Sequence, residues 1–337
     1  MTDPRHALRQ DFLTRAGWGK AGVCPLAGDA SFRSYHRVTR DPETAVLMDA
    51  PPTNEDVRPF AAIATHLERL GYTVPSILAA DPENGFLLLT DLGDVTVAKA
   101  LADGAAPEPF YERAVDVLID LHKRGPAAIP PGLESLMDGH LLPRLDLLLD
   151  WYCPAVLEHP VAEKDRAAYH AIWQDLWPLA EALPPTLVLL DYFPDNLMWL
   201  PDRPGLRACG LLDFQDALAG SPAYDLMSLL QDARRDVPKP LAEAMTTRYL
   251  AAFPALDPEA FHAAAAVMAA HRHARVIGVF TRLAIRDGKT GYLGHINRVW
   301  RLLEDACRHP ALLPLQTWLD RVIPPSQRKV PSCSPPP

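Results

Sequence analysis

The hydrophobic pattern of this chain changes character near Gly93. Ahead of that point lie short β-prone runs broken by turn residues; beyond it apolar residues recur at three- and four-residue intervals. Strands and helices that segregate along a chain imply an α+β protein with the two kinds of element in separate regions. At 337 residues the chain also exceeds the size at which one hydrophobic core stops growing. Two lobes are therefore expected, 1–93 and 94–322, with a Pro- and Ser-rich tail over 323–337 expected to be disordered.

Within the first region a helix is expected from about Arg5 to Ala16. Three antiparallel strands follow, separated by the turns at Gly28-Asp29 and "RDPET". Val57, Phe60, Ile63, Ala64, Leu67 and Leu70 share one helical face, and Gly71 ends that helix. "ILAADPENGFLLLTDLGD" reads as two further strands around an Asp-Pro-Glu-Asn-Gly turn. Past Gly93, Ala114, Val117, Leu118 and Leu121 repeat at helical spacing, and helices continue through "LLPRLDLLLDWY" and "AAYHAIWQDLWPLAEAL". A single small hairpin then runs from "TLVLLDYFPDNLMWL" through the turn "PDRPG" to "RACGLLDFQDA", and the remainder to about Val322 is helical.

Composition narrows the function class. A net charge of -9 argues against nucleic acid as a partner, because phosphate backbones require a basic face. No apolar run reaches the roughly 18 residues needed to cross a bilayer, and the N-terminal residues lack a signal-peptide core, so a cytoplasmic protein without a membrane partner is expected. Cys24, Cys153, Cys209, Cys307 and Cys333 are scattered without zinc-ligand spacing and read mostly as small core residues.

The chemistry concentrates in the hairpin. Asp191 precedes Asn196 by five positions, and Asp213 ends the strand-like "CGLLDF" 17 residues after Asn196. If the hairpin closes at "PDRPG", Asn196 and Asp213 come side by side at one end. Two oxygen-bearing side chains suit a hard cation such as Mg²⁺, which takes few protein ligands and completes its shell with phosphates. Asp191 is then left to accept a proton from an attacking hydroxyl. Kinase-type phosphoryl-transfer sites share this order of Asp, four residues, Asn, then a strand-ending Asp.

The succession "GDASFRSYHRV", "AVLMDAPP", "GFLLLTDLGD", "LIDLH", "LDYFPDNLM", "LLDFQDALAGSPAYDLMSLLQDARRDV" and "GVFTRLAIRDGK" resembles the aminoglycoside phosphotransferase superfamily. Within it the pattern looks most like the bacterial anomeric kinases of N-acetylmuramate and N-acetylglucosamine in cell-wall recycling. The resemblance runs from about Leu26 to Leu319 and implies a protein-kinase-like two-lobed fold using ATP and Mg²⁺ on a small sugar, with no obligate protein partner. Carried over by motif, Asp191 resembles the catalytic base, Asn196 and Asp213 the metal ligands, and Asp225 the acid that braces the catalytic loop. Gly28, Asp29, Ser31 and Arg33 resemble the phosphate-covering hairpin, and Asp91 and Gly93 belong to the adenine-side strand exit.

Some positions depart from that pattern. Met48 stands where the strand-three lysine is expected, and Leu189, Leu190 and Phe193 replace polar or basic residues around the base. Arg33, Arg37 and Arg58 are the neighbouring cations able to take over the lost charge. On the acceptor side, Arg272, Arg275, Arg282 and Arg286 fall within an arc of about 80° on one helix, a basic stripe expected to disfavour polycations. Arg275, Arg282 and Arg286 are thus candidate contacts for an acetylated or carboxylate-bearing sugar. Glucosamine, an amino alcohol or an aminoglycoside remain alternative acceptors, as does a non-catalytic nucleotide-binding role.

Overall fold

The computed structural model of the chain describes residues 5–26, 32–136 and 140–332. It begins with α1 (His6–Arg15), β1 (Gly22–Pro25), β2 (Ser34–Arg40), β3 (Glu43–Asp49), α2 (Arg58–Arg69), β4 (Ile77–Asp81) and β5 (Phe86–Thr90). Then come α3 (Val97–Ala102), α4 (Glu108–Lys123), α5 (Leu141–Leu147), a π-helical turn at Leu148–Tyr152, α6 (Cys153–Leu157) and α7 (Glu163–Glu181). Four short strands follow: β6 (Thr186–Val188), β7 (Leu197–Trp199), β8 (Cys209–Leu211) and β9 (Leu218–Gly220). Helices complete the chain: α8 (Ala223–Leu230), α9 (Lys239–Ala251), α10 (Pro258–Asp287), α11 (Ile296–Ala306) and α12 (Leu313–Val322).

These elements form two compact units, Met1–Arg113 with Pro194–Ala217, and Ala114–Phe193 with Leu218–Pro337. The sequence reading put the boundary after residue 93 and kept the whole hairpin with the helices. Backbone pairing explains the different grouping of 194–217. The Trp199 amide donates to Val95 O at 2.8 Å, and the Leu211 amide to Thr73 O at 2.8 Å. Phe110 meets the Trp199 ring edge-on at 4.6 Å.

In the first unit the sheet order is β1-β2-β3-β5-β4, all antiparallel. Alternation sorts its side chains onto two faces. Val38, Ala45, Leu47, Phe86 and Leu88 pack with Phe12, Leu13 and Trp18 around α1. Asp49, at the end of β3, is 2% exposed and takes ion pairs from Arg5 and Arg9 of the α1 segment at 2.6 and 3.0 Å. Gly85 must be glycine: its φ is +73°, and a Cβ there would lie 1.9 Å from Ala50 O.

The second unit is organised around α10, whose 30 residues span about 45 Å. Its start is set by Asp257, which accepts the Glu259 amide with Pro258 at the first position, and its end by Gly288 at φ +68°. Buried residues occur all round its central turns, as in a helix enclosed by neighbours. α5, the π-helical turn, α7, α8 and α11 pack against it.

The expected single hairpin is two ribbons. β7 and β8 pair as anticipated, Leu197 facing Leu211, while β6 pairs with β9, Val188 facing Leu218. β9 is "LAG", too short and too poor in β-branched residues to announce itself; its pairing is a tertiary effect. Cys153, Cys209 and Cys307 are buried, as expected of most of the cysteines, whereas Cys24 on β1 is exposed; Cys333 lies outside the described residues. No helix among the described residues is long and apolar enough to cross a membrane.

Candidate active site

Asp191 follows β6 in a tight turn. Its amide donates back to Leu189 O at 2.8 Å, and Leu190 between them has φ +67°. A three-residue turn with a positive central φ is strained for a residue bearing a Cβ, so surrounding contacts must impose it. They do. Asp225 on α8 is fully buried and accepts the Leu189 and Leu190 amides at 2.6 and 2.9 Å. Ser228, one turn on, donates its hydroxyl to Leu190 O at 3.3 Å. Burial pushes the Asp225 carboxyl up to about 7, against the pull of those two amides, with Asp191 adding to the rise and Arg272 opposing it. Asp191 itself is 24% exposed at its side chain, and Arg275 Nη1 lies 3.8 Å from its Oδ1.

Asn196 and Asp213 sit at adjoining ends of β7 and β8. The Leu212 amide donates to Asn196 O at 3.0 Å, and Asn196 Nδ2 lies 3.4 Å from Asp213 Oδ2. Asp213 has φ +57°, a conformation Asp tolerates, and Phe214 beside it stacks on Phe60 of α2 at 4.9 Å. Gln215 Nε2 donates to Asp213 Oδ1 at 2.9 Å, and Arg33 Nη1 is 3.8 Å from the same oxygen. Among the described residues no group of three or more His, Cys, Asp or Glu forms a metal cage. One amide oxygen and one carboxylate fit a hard cation that completes its shell with phosphate, and fit a thiolate- or imidazole-seeking metal poorly.

Both residues line a cleft of about 860 Å³, open mouth included, within the first unit. Tyr35, Arg37, Val46 and Leu89 contribute from the sheet face opposite α1, and Thr90, Asp91, Leu92 and Gly93 from the exit of β5. Its largely apolar wall suits a flat heterocycle with a polar end. Met48 is on this sheet face, buried between Tyr35 and Leu87. Among the described residues Arg37 brings a cation to this face, one strand over and paired in register with Val46. Arg37 holds Asp91 with two hydrogen bonds, 2.6 and 3.1 Å, and Asp94 at 2.8 Å. Burial alone would raise the Asp91 carboxyl, but the Arg37 bonds and the Gly93 amide outweigh it and leave it below the usual value.

Of the other expected cations, Arg58 is exposed and bonds Asp56 and Glu83, away from the cleft lining. Arg33 lies near Glu55 and Asp213, while Gly28, Asp29 and Ser31 lie outside the described residues. The four arginines of α10 do not form one surface stripe. Arg272 is 2% exposed and donates Nε to Ser228 Oγ at 2.8 Å. Arg275 reaches Asp191, Arg282 is partly buried, and Arg286 is exposed with its guanidinium taken up by Asp287 at 2.7 and 2.9 Å. Arg234 escaped notice altogether, since its partners are aromatic rings far along the chain.

Known proteins share this architecture. The profile of the phosphotransferase enzyme family matches residues 22–262. The chain is 34% identical to the N-acetylmuramate/N-acetylglucosamine kinase of Caulobacter vibrioides, covering 98% of this chain and 99% of that one. It is 41% identical to the protein of that name from Pseudomonas aeruginosa, over 90% of each. A solved microcompartment-associated aminopropanol kinase superimposes with a TM-score of 0.63 at 16% identity, covering 94% of this chain and 99% of that one, which identifies the fold as protein-kinase-like. With its sequence matched over most of its length, this chain belongs to the phosphotransferase enzyme family.

Proposed function

We propose that this chain is an ATP-dependent kinase that phosphorylates the anomeric hydroxyl of an N-acetylated amino sugar, N-acetylmuramate or N-acetylglucosamine. The observation that carries the reading is the turn clamped by Asp225, which presents Asp191 five residues ahead of Asn196 in a chain whose full-length relatives bear that kinase name.

Each residue has a share in the chemistry. The cleft lined by Leu89, Thr90 and Gly93 takes the nucleotide base, and Asn196 and Asp213 are the residues that would hold Mg²⁺ through oxygen. When bound, Mg²⁺ neutralises the charge on the nucleotide phosphates. Asp191 accepts the proton of the hemiacetal hydroxyl; the sugar oxygen bonds to the γ-phosphorus as the bond to the β,γ-bridging oxygen breaks and ADP departs. A hemiacetal hydroxyl is more acidic than a simple alcohol, which lowers the basicity required of Asp191. Positive charge around the reacting groups comes from Arg275 beside Asp191 and Arg33 beside Asp213.

The test is a panel of free sugars with ATP and Mg²⁺, scoring ADP release and then locating the phosphate by NMR. Turnover of the two N-acetyl sugars with phosphorus on C1 is expected, and Asp191→Asn should remove it while leaving ATP binding intact. ATP binding without turnover of any sugar refutes catalysis, and a phosphate at another carbon refutes the regiochemistry.

A further inference from the structure

Phe193, two residues beyond Asp191, is 5% exposed and flanked by two guanidinium groups. The guanidinium carbon of Arg234 lies 4.5 Å from the ring centroid and that of Arg272 lies 5.8 Å from it. Arg234 is also 5.9 Å from the Phe280 and Tyr292 rings, so it sits among three aromatic side chains. Its backbone is fixed on both sides. The Arg234 amide donates to Asp232 Oδ1 at 2.9 Å, and its carbonyl accepts from Arg298 Nη1 at 3.0 Å. Arg298 anchors the same loop through two bonds to Asp236, at 2.9 and 3.0 Å.

For all this fixing, the Arg234 guanidinium has no carboxylate and no hydrogen-bond acceptor among the described residues. A guanidinium over aromatic rings gives up hydration on its face and keeps its in-plane N–H edge for a planar anion. The surroundings are short of negative charge. Arg272 is buried with Nη1 lacking an acceptor, and Arg275, one turn along α10, faces Asp191. Of the nearby acids, Asp225 is occupied by the Leu189 and Leu190 amides, and Asp232 is buried against Arg235 at 3.4 Å and the Arg234 amide. Arg272 is too deep to meet a ligand and Arg275 is engaged with the base. Arg234, partly buried, is the member of the group that retains both exposure and an unused edge.

We propose that Arg234 determines specificity for an acceptor sugar bearing a carboxylate, binding it through two parallel N–H bonds while Asp191 meets the hydroxyl. The inference rests on the amino-sugar kinase reading. N-acetylmuramate differs from N-acetylglucosamine by a lactyl ether ending in a carboxylate, the chemistry that a guanidinium stacked on Phe193, two residues from Asp191, would distinguish.

The experiment compares kcat/KM for the two sugars in wild type, Arg234→Met and Arg234→Lys. Methionine keeps an unbranched stem over Phe193 and removes the charge. The ratio of N-acetylmuramate to N-acetylglucosamine efficiency should fall about tenfold or more in Arg234→Met and recover in part in Arg234→Lys. With wild-type protein, the methyl ester of N-acetylmuramate should be about tenfold poorer than the free acid, a readout that needs no variant to fold. An unchanged ratio, an equal loss on both sugars, or indifference to the ester overturns the role of Arg234 and leaves the kinase reading standing. Wild-type protein that phosphorylates neither sugar overturns both.

Discussion

Asp225 accepts the amide of Leu190 at 2.9 Å across thirty-five residues of chain, and Leu190 is the residue at φ +67°. A buried carboxylate on α8 thereby holds the strained turn that presents Asp191. On the proposed reading Asp225 is a positioning residue, and Asp225→Asn tests that role. The new amide accepts one backbone N–H but turns its own N–H₂ toward the other, leaving a buried donor unsatisfied at about 1–3 kcal/mol. Stability should fall by about that much. The kcat should fall at least tenfold while the KM for ATP stays within about twofold, because the first unit's cleft is untouched. A variant with wild-type kcat would show that the clamp does not position Asp191.

Arg37 and Asp91 make a second testable pair. Arg37→Met leaves the Asp91 carboxylate with the Gly93 amide and the Thr44 side chain, facing a cleft that on the proposed reading receives a polyanion. ATP affinity should weaken by roughly five- to thirtyfold, the equivalent of about 1–2 kcal/mol. Removing the stranded charge with Asp91→Asn in the same chain should recover part of the loss. Calorimetric titration of the two single variants and the double variant measures the coupling; additive losses would refute the compensation argument.

How legible was the site? Spacing places Asn196 beside Asp213 because a short ribbon, β7 with β8, brings its own ends together, while Asp191 lies on the turn that follows β6. Asp225 is carried over from the family resemblance by motif, and the structure shows it accepting the Leu189 and Leu190 amides. What spacing does not encode is pairing over long separations. Arg37 and Asp91 are fifty-four residues apart, β9 meets β6 through tertiary packing, and Arg234 is held by rings from three segments. Leu190 and Phe193 looked like missing charges. In the fold they are a buried turn residue and a buried ring, with Arg275 beside Asp191 and the Arg272 and Arg234 guanidinium groups over Phe193.

Gly278 on α10 reverses an ordinary propensity argument. Glycine inside a helix usually costs about 1 kcal/mol relative to alanine, so Gly278→Ala would stabilise an isolated helix. Here an added Cβ would meet Leu147 C and O and Leu148 N at 2.3 to 2.6 Å, backbone atoms where α5 passes into the π-helical turn. Backbone cannot step aside as a side chain does. Gly278→Ala should therefore destabilise by about 1–3 kcal/mol, lowering the denaturant midpoint. A raised midpoint would mean that the two segments are not in close contact.

The last prediction concerns pH. Burial holds three imidazoles of the second unit neutral: His122 and His271 are lowered to about 3, and His273 well below its ordinary value. In the unfolded chain each takes a proton near pH 6.5. Their stabilisation is therefore complete above pH 6.5 and is lost as the pH falls. Asp225, raised to about 7 by burial, acts the other way: its contribution is complete below about pH 4 and is lost as the pH rises through 7. Between about pH 4.5 and 6, unfolding should take up about two protons net, so stability should rise with pH by roughly 3 kcal/mol per unit. Denaturant titrations followed by tryptophan fluorescence measure the slope, since Trp173 and Trp177 pack against His271 at 6.0 and 5.8 Å. His122→Phe removes one imidazole and should reduce the slope by about half; stability that is flat across this range would mean the imidazoles are not buried neutral.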